Sequence, residues 1–135
     1  MQYWLVKSEP SAYSWDQLNK DGKTVWDGVR NYQARNNLKL MKKNDLVLFY
    51  HSNEGMAVQG VTKVARAFFQ DPGTDDPRWV SVELKPNKAF KKVVTLEQIK
   101  KDPLLENIAL IKQSRLSVMP LSEDEFNRIV SLGAG

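Results

Sequence analysis

The chain has 135 residues, of which 41% are hydrophobic and 27% charged, with no cysteine and a net charge of +4. That length supports one domain, residues 1–135, with a core of its own, and the composition excludes both a disordered chain and a membrane-spanning helix. The absence of cysteine excludes disulfides and zinc–thiolate sites, while +4 is only a mild lean toward polyanions.

In chain order, Gln2 to Lys7 is aromatic and β-branched and is stopped by Pro10, which predicts a first strand. Its apolar run is too short for a secretory signal, so a soluble, cytoplasmic protein without membrane contact is expected. Ser14 with Gln17 forms a capping-box pattern and predicts a helix over Trp15 to Lys20. Val25-Trp26 reads as an extended piece ended by Asp27-Gly28. Asn31 is placed to cap a helix from Tyr32 to Met41, with Ala34, Leu38 and Met41 facing the core. Leu46 to Tyr50 is a short apolar run suited to a buried strand, and Asn53-Glu54-Gly55 a hairpin turn. Ala57 to Phe69 predicts a long strand, in which Gly60 marks a bulge or a close approach. The loop from Asp71 to Pro77 precedes Trp79 to Leu84, whose alternation predicts a half-buried strand. Thr95/Gln98 and Ser122/Glu125 repeat the capping-box pattern and predict helices from Leu96 and Glu123. Arg115 to Met119 predicts a last strand closed by Pro120. The order is α+β, and short strands in this number favour a mostly antiparallel barrel with short flanking helices.

Catalytic machinery is not found. His51 is the single histidine, no metal-ligand spacing accompanies it, and no nucleophile elbow or glycine-rich phosphate loop is present. The acid pairs Asp75-Asp76 and Asp124-Glu125 fit a turn and a helix's first turn. A non-enzymatic protein with no cofactor or metal is therefore expected. Polar and aromatic residues gather instead at strand ends: Lys7-Ser8-Glu9, Trp26 through Asn31, and Tyr50-His51-Ser52. Barrel strand ends converge on one mouth, where small-ligand pockets form. Trp26 fits a core position as well as a stacking face, Asn31 a plain helix cap, His51 a hydrogen-bonded core histidine, and Glu9 a solvated loop acid. Lys85, Lys88, Lys91 and Lys92 form the densest basic stretch. A solvated face is its ordinary reading, and a phosphate-contacting strip the sharper one.

At these residues the sequence resembles the EVE-domain family of the PUA-like superfamily, and more distantly the YTH domains. The matching stretches are Tyr3 to Pro10, Trp26-Asp27-Gly28-Val29-Arg30-Asn31-Tyr32-Gln33-Ala34-Arg35-Asn36, Leu48 to Ser52, and Ser114 to Val118. The resemblance implies a PUA-like barrel with a pocket for a flipped, modified base, 5-methylcytosine or 5-hydroxymethylcytosine in DNA being favoured. Taken with the strand-end clusters, it gives a candidate base pocket of Lys7, Ser8, Glu9, Trp26, Asn31, Tyr50, His51 and Ser52. The looser YTH likeness points to Lys7, Ser8, Trp26 and Asn31 among them. Glu9 would accept from a cytosine amine, and Arg30, Arg35 and Arg115 would contact backbone phosphates. Modified or structured RNA, or a small-molecule or enzymatic use of the same pocket, are the alternatives. A monomer is expected.

Overall fold

The computed structural model describes residues 1–134. The strands are β1 (Tyr3–Ser8), β2 (Thr24–Trp26), β3 (Leu46–His51), β4 (Ala57–Gln70), β5 (Val80–Thr95) and β6 (Val118–Leu121). The helices are α1 (Trp15–Asp21), α2 (Tyr32–Leu40), α3 (Leu96–Lys101), α4 (Ala109–Lys112) and α5 (Glu123–Ala134). The strands form one sheet in the order β2-β5-β4-β3-β1-β6. Four of its five pairings are antiparallel, and β1 with β3 is the parallel one. The expected closed barrel is corrected to an open sheet. Its edge strands β2 and β6 do not pair with one another, and they have only three and four residues.

The parallel pair explains the most hydrophobic stretches of the chain. A strand covered on both faces reads as a continuous apolar run rather than an alternation. Leu5 and Val6 of β1 and Val47, Leu48 and Phe49 of β3 have no solvent exposure. A parallel pair also requires a crossover, which here carries α1, β2 and α2. The antiparallel β4–β5 hairpin is long and irregular, with register shifts on both sides of Gly60. A Cβ at Gly60 would lie 2.6 Å from the Lys88 carbonyl oxygen and 2.7 Å from the Trp15 ring. Gly60 is thus both a bulge and a close approach. At the far side α5 packs on β5, and Phe126 meets Tyr3 with ring centroids 4.6 Å apart.

Helix starts follow the sequence closely. Asn31 accepts from the Ala34 N–H at 2.9 Å. Thr95/Gln98 and Ser122/Glu125 form both halves of their capping boxes. At α1 only half forms: Ser14 caps Gln17, whose own amide turns to Asp21 instead. The last strand is shifted. β6 starts at Val118 and includes Pro120 opposite Trp4, because an edge position does not need the missing N–H.

Candidate functional site

The ends of β1, β2 and β3 meet. Ser8 and His51 are register neighbours, and the Ser52 N–H donates to the Ser8 carbonyl at 2.9 Å. The Trp26 ring packs edge-on against Phe49 of β3, centroids 5.6 Å apart. Over the β1 and β2 ends opens a cavity of about 500 Å³, within the roughly 300–1,000 Å³ typical of small-ligand sites. Lys7, Ser8, Glu9, Trp26, Arg30 and Asn31 all line it. Tyr13, Asp27, Val29 and Ser117 complete much of the wall.

Trp26 is 9% exposed. It is held from behind by Phe49 and from the side by Tyr13, whose ring meets it edge-on at 6.4 Å. Core packing and cavity lining therefore coincide in one indole, fixed in place with part of its surface open.

The polar groups around it are partly committed. Ser8 Oγ donates to the Tyr13 carbonyl at 2.6 Å, which uses its one donor and leaves its lone pairs as acceptors. Asn31 spends Oδ1 on the helix cap, so its amide NH₂ is the available donor. Lys7 Nζ donates to the Ser114 carbonyl at 2.7 Å and keeps further N–H groups. Burial lowers the Lys7 pKa from its ordinary value. Glu9 is exposed, and its carbonyl anchors the following turn by accepting from Ala12 and Tyr13 N–H groups. Its carboxylate makes no hydrogen bond among the described residues. The rim thus offers donors from Lys7 and Asn31 and acceptors from Glu9, Asp27 and Ser8.

The loop carrying Trp26 to Asn31 is organised from outside the cavity by Asp71, whose side chain has no solvent exposure. One carboxylate oxygen accepts from the Gly28 N–H and from Arg30 Nη1, both at 2.9 Å, and the other from the Gly73 N–H at 2.6 Å. Burial pushes this carboxyl up, but the Arg30 guanidinium and the two N–H groups outweigh it, so its pKa lies below the ordinary value. Gly28 has φ +76°, a left-handed turn that glycine adopts without strain and that aims its N–H at Asp71.

Arg30 apart, the other predicted residues sit elsewhere. Tyr50, His51 and Ser52 do not line the cavity. Tyr50 is buried and its hydroxyl pKa is raised by burial. His51 Nε2 accepts from the Trp15 N–H at 3.0 Å and so ties the start of α1 to β3. Its pKa is lowered by burial, with Asp16 opposing. Arg30 is engaged with Asp71, and Arg35 lies over the Tyr32 ring and bonds to Asn36 and the Arg78 carbonyl. Arg115 lines a separate groove. Lys85, Lys88, Lys91 and Lys92 are exposed along β5, away from the cavity lining, with Lys85 opposite Lys63 across the ladder. Tyr13, Ser117 and Asp71 were not identified from sequence. Tyr13 had one usable signal, an aromatic ring immediately before a helix cap.

A mixed α+β domain built on one open sheet, with a cavity over its strand ends, has the PUA-like architecture. The chain belongs to the EVE domain family, which it matches over residues 2–132. It is 34% identical to mouse thymocyte nuclear protein 1 over 96% of this chain and 73% of that protein. The crystal structure of protein Atu2648 from Agrobacterium tumefaciens is similar at a TM-score of 0.96 and 39% identity, covering 98% of this chain and 93% of the other. Human THYN1 protein, solved in complex with DNA containing 5-methylcytosine, is similar at a TM-score of 0.92 and 30% identity, covering 100% and 99%.

Proposed function

We propose that this chain is a non-catalytic reader of a modified nucleobase, 5-methylcytosine or 5-hydroxymethylcytosine in DNA, held in the cavity beside Trp26. The observation that carries this reading is the pairing of a fixed, partly open indole with uncommitted donors and acceptors on one rim. Its likeness to THYN1, a protein crystallised with 5-methylcytosine DNA, supports the ligand class. The energetics are consistent with it. Taking a base out of the stack costs a few kcal/mol, and one aromatic stack returns about 1–3 kcal/mol. Edge hydrogen bonds supply the remainder. A cytosine edge presents an amine donor beside ring and carbonyl acceptors. Glu9 or Asp27 suits the amine, and Lys7 and Asn31 suit the acceptors. Val29 and Ala12 on the wall offer apolar contact to a 5-substituent.

The test is binding, by fluorescence anisotropy, to oligonucleotides that differ at one position: cytosine, 5-methylcytosine, 5-hydroxymethylcytosine or thymine, in DNA and in RNA. A modified cytosine in DNA is expected to bind tightest. Trp26 also packs on Phe49, so Trp26→Ala would cost about 3–5 kcal/mol of stability as well, and Trp26→Phe is the informative change. It should retain most of the binding, because any flat ring stacks. The Glu9 carboxylate makes no hydrogen bond among the described residues, and Glu9 anchors its turn through the backbone carbonyl alone. Glu9→Gln should leave unfolding unchanged while lowering the preference for cytosine over thymine about tenfold. Equal binding of all four bases by the wild type would sink the reading, and tighter binding of the RNA series would transfer it to RNA.

A further inference from the structure

Beyond Asn31 lies a second concavity of about 310 Å³, formed with Gln33, Lys112, Gln113, Ser114 and Arg115. It adjoins the first at Asn31, which lines both. Its floor is tied to the β1 end by Lys7, which donates to the Ser114 carbonyl at 2.7 Å. Its polar lining holds two cations, amides and a hydroxyl, with no carboxylate and no aromatic ring.

The state of the arginines singles this groove out. Arg30, Arg78 and Arg128 are paired with Asp71, Asp76 and Asp102. Arg35 and Arg66 lie over the rings of Tyr32 and Phe69. Of the six arginines, Arg115 alone has no ion pair, ring or side-chain hydrogen bond among the described residues. Lys112, beside it in the groove, likewise has no carboxylate partner among them. Two uncompensated cations facing a groove of amide and hydroxyl groups complement a polyanion's backbone rather than a base face.

We infer that this groove takes the sugar–phosphate of the nucleotide adjoining the base held in the cavity, with Arg115 and Lys112 on the phosphate and Gln33 and Gln113 on its oxygens or the sugar. The inference rests on the nucleic-acid reading of the cavity. It adds a direction to it: the bound strand leaves the cavity over Asn31 toward the turn that joins α4 to β6.

The test uses the full chain and short DNA strands, modified or unmodified at the central cytosine. Each carries a neutral methylphosphonate at the linkage 5′ or 3′ to that cytosine. Wild type is expected to lose about tenfold in affinity with the methylphosphonate on one side only. The Lys112→Ala/Arg115→Ala variant should start about tenfold weaker and show no further loss from that methylphosphonate. Its salt dependence of log K should be shallower by about one for each phosphate contact removed. Both residues are exposed, and a thermal melt checks that the variant folds as the wild type does. An unchanged salt slope, or equal losses from the methylphosphonate in variant and wild type, overturns the inference. If wild type does not discriminate the modified base, the cavity reading fails, while the methylphosphonate comparison on unmodified strands still decides the groove. Failure of the wild type to bind any of the strands overturns both.

Discussion

Asp71→Asn removes one acceptor from a buried carboxylate that does not touch the cavity. The aspartate takes three hydrogen bonds, from the Gly28 N–H, the Gly73 N–H and Arg30. An asparagine offers a single oxygen, so its NH₂ must face either Gly73 or the Gly28–Arg30 side. Leaving a buried donor unmet costs about 1–3 kcal/mol, and bonds to a charged group are worth about 1 kcal/mol more than bonds to a neutral one. The Arg30 side chain is 41% exposed and can rehydrate, so the cost falls short of the 3–5 kcal/mol of breaking a fully buried pair. The expected loss is about 2–4 kcal/mol. Urea unfolding should show it as a midpoint lowered by about 1–3 M at constant m. The Asp71 pKa is depressed in the fold. Its stabilisation is therefore present above the unfolded value of about 3.9 and lost as pH falls through the folded value. The gap between wild type and variant should close below about pH 4. Oligonucleotide binding should weaken too, because the loop from Trp26 to Asn31 loses its anchor. A stability loss under about 0.5 kcal/mol, within the range of ordinary surface changes, would refute the argument that Asp71 holds that loop.

His51 must be neutral at Nε2 to accept from Trp15, and its pKa is lowered in the fold. The unfolded chain therefore binds the proton first. Stability should fall as pH drops below about 6.5, and His51→Gln should flatten that slope in urea titrations at about pH 7.5 and 5.5. It is the chain's single histidine, so an unchanged slope in the variant would remove the role assigned to it. Gly60→Ala forces a Cβ against the Lys88 carbonyl and the Trp15 ring, and should cost about 1–3 kcal/mol. A melting temperature equal to that of the wild type would show that this part of the hairpin yields.

What could be read in the sequence was local. Ser14, Asn31, Thr95 and Ser122 each start a helix within a residue of the expected place, because a cap is decided by its own side chain and the next turn. β1 and β3 were legible from their apolar runs. β5 was legible only to Leu84, where alternation stops. It continues to Thr95 because β4 supplies a ladder, while its side chains from Lys85 to Val93 are mostly exposed and carry no pattern. The four-residue α4 is too short for periodicity. In the site, Lys7, Ser8, Trp26 and Asn31 stand at element ends that sequence could place. Tyr50 and His51 stand at such an end too, yet Tyr50 is buried and His51 is turned to the start of α1. That choice depends on contacts 36 positions apart, as Asp71's role depends on a partner 43 away. An aspartate in a loop rich in proline and glycine gives no sign of it.

The crossover between the parallel strands has a consequence for how this domain can diversify. Apart from Ser117, every residue lining the cavity beside Trp26 lies between Lys7 and Asn31, inside or at the start of the segment that links β1 to β3. The strands at its two ends are locked in register from Tyr3–Leu46 to Ser8–His51. Within that segment β2, Trp15 and Trp26 are fixed by β5, His51 and Phe49, while the exposed positions between them can be exchanged without moving the sheet. Ligand preference is in effect one cassette on a fixed frame. A chimera that carries a relative's segment from Glu9 to Asn31 should inherit the relative's choice of ligand and keep this chain's stability provided that Trp15, Leu18, Trp26 and Gly28 are retained at their contacts with the sheet and Asp71.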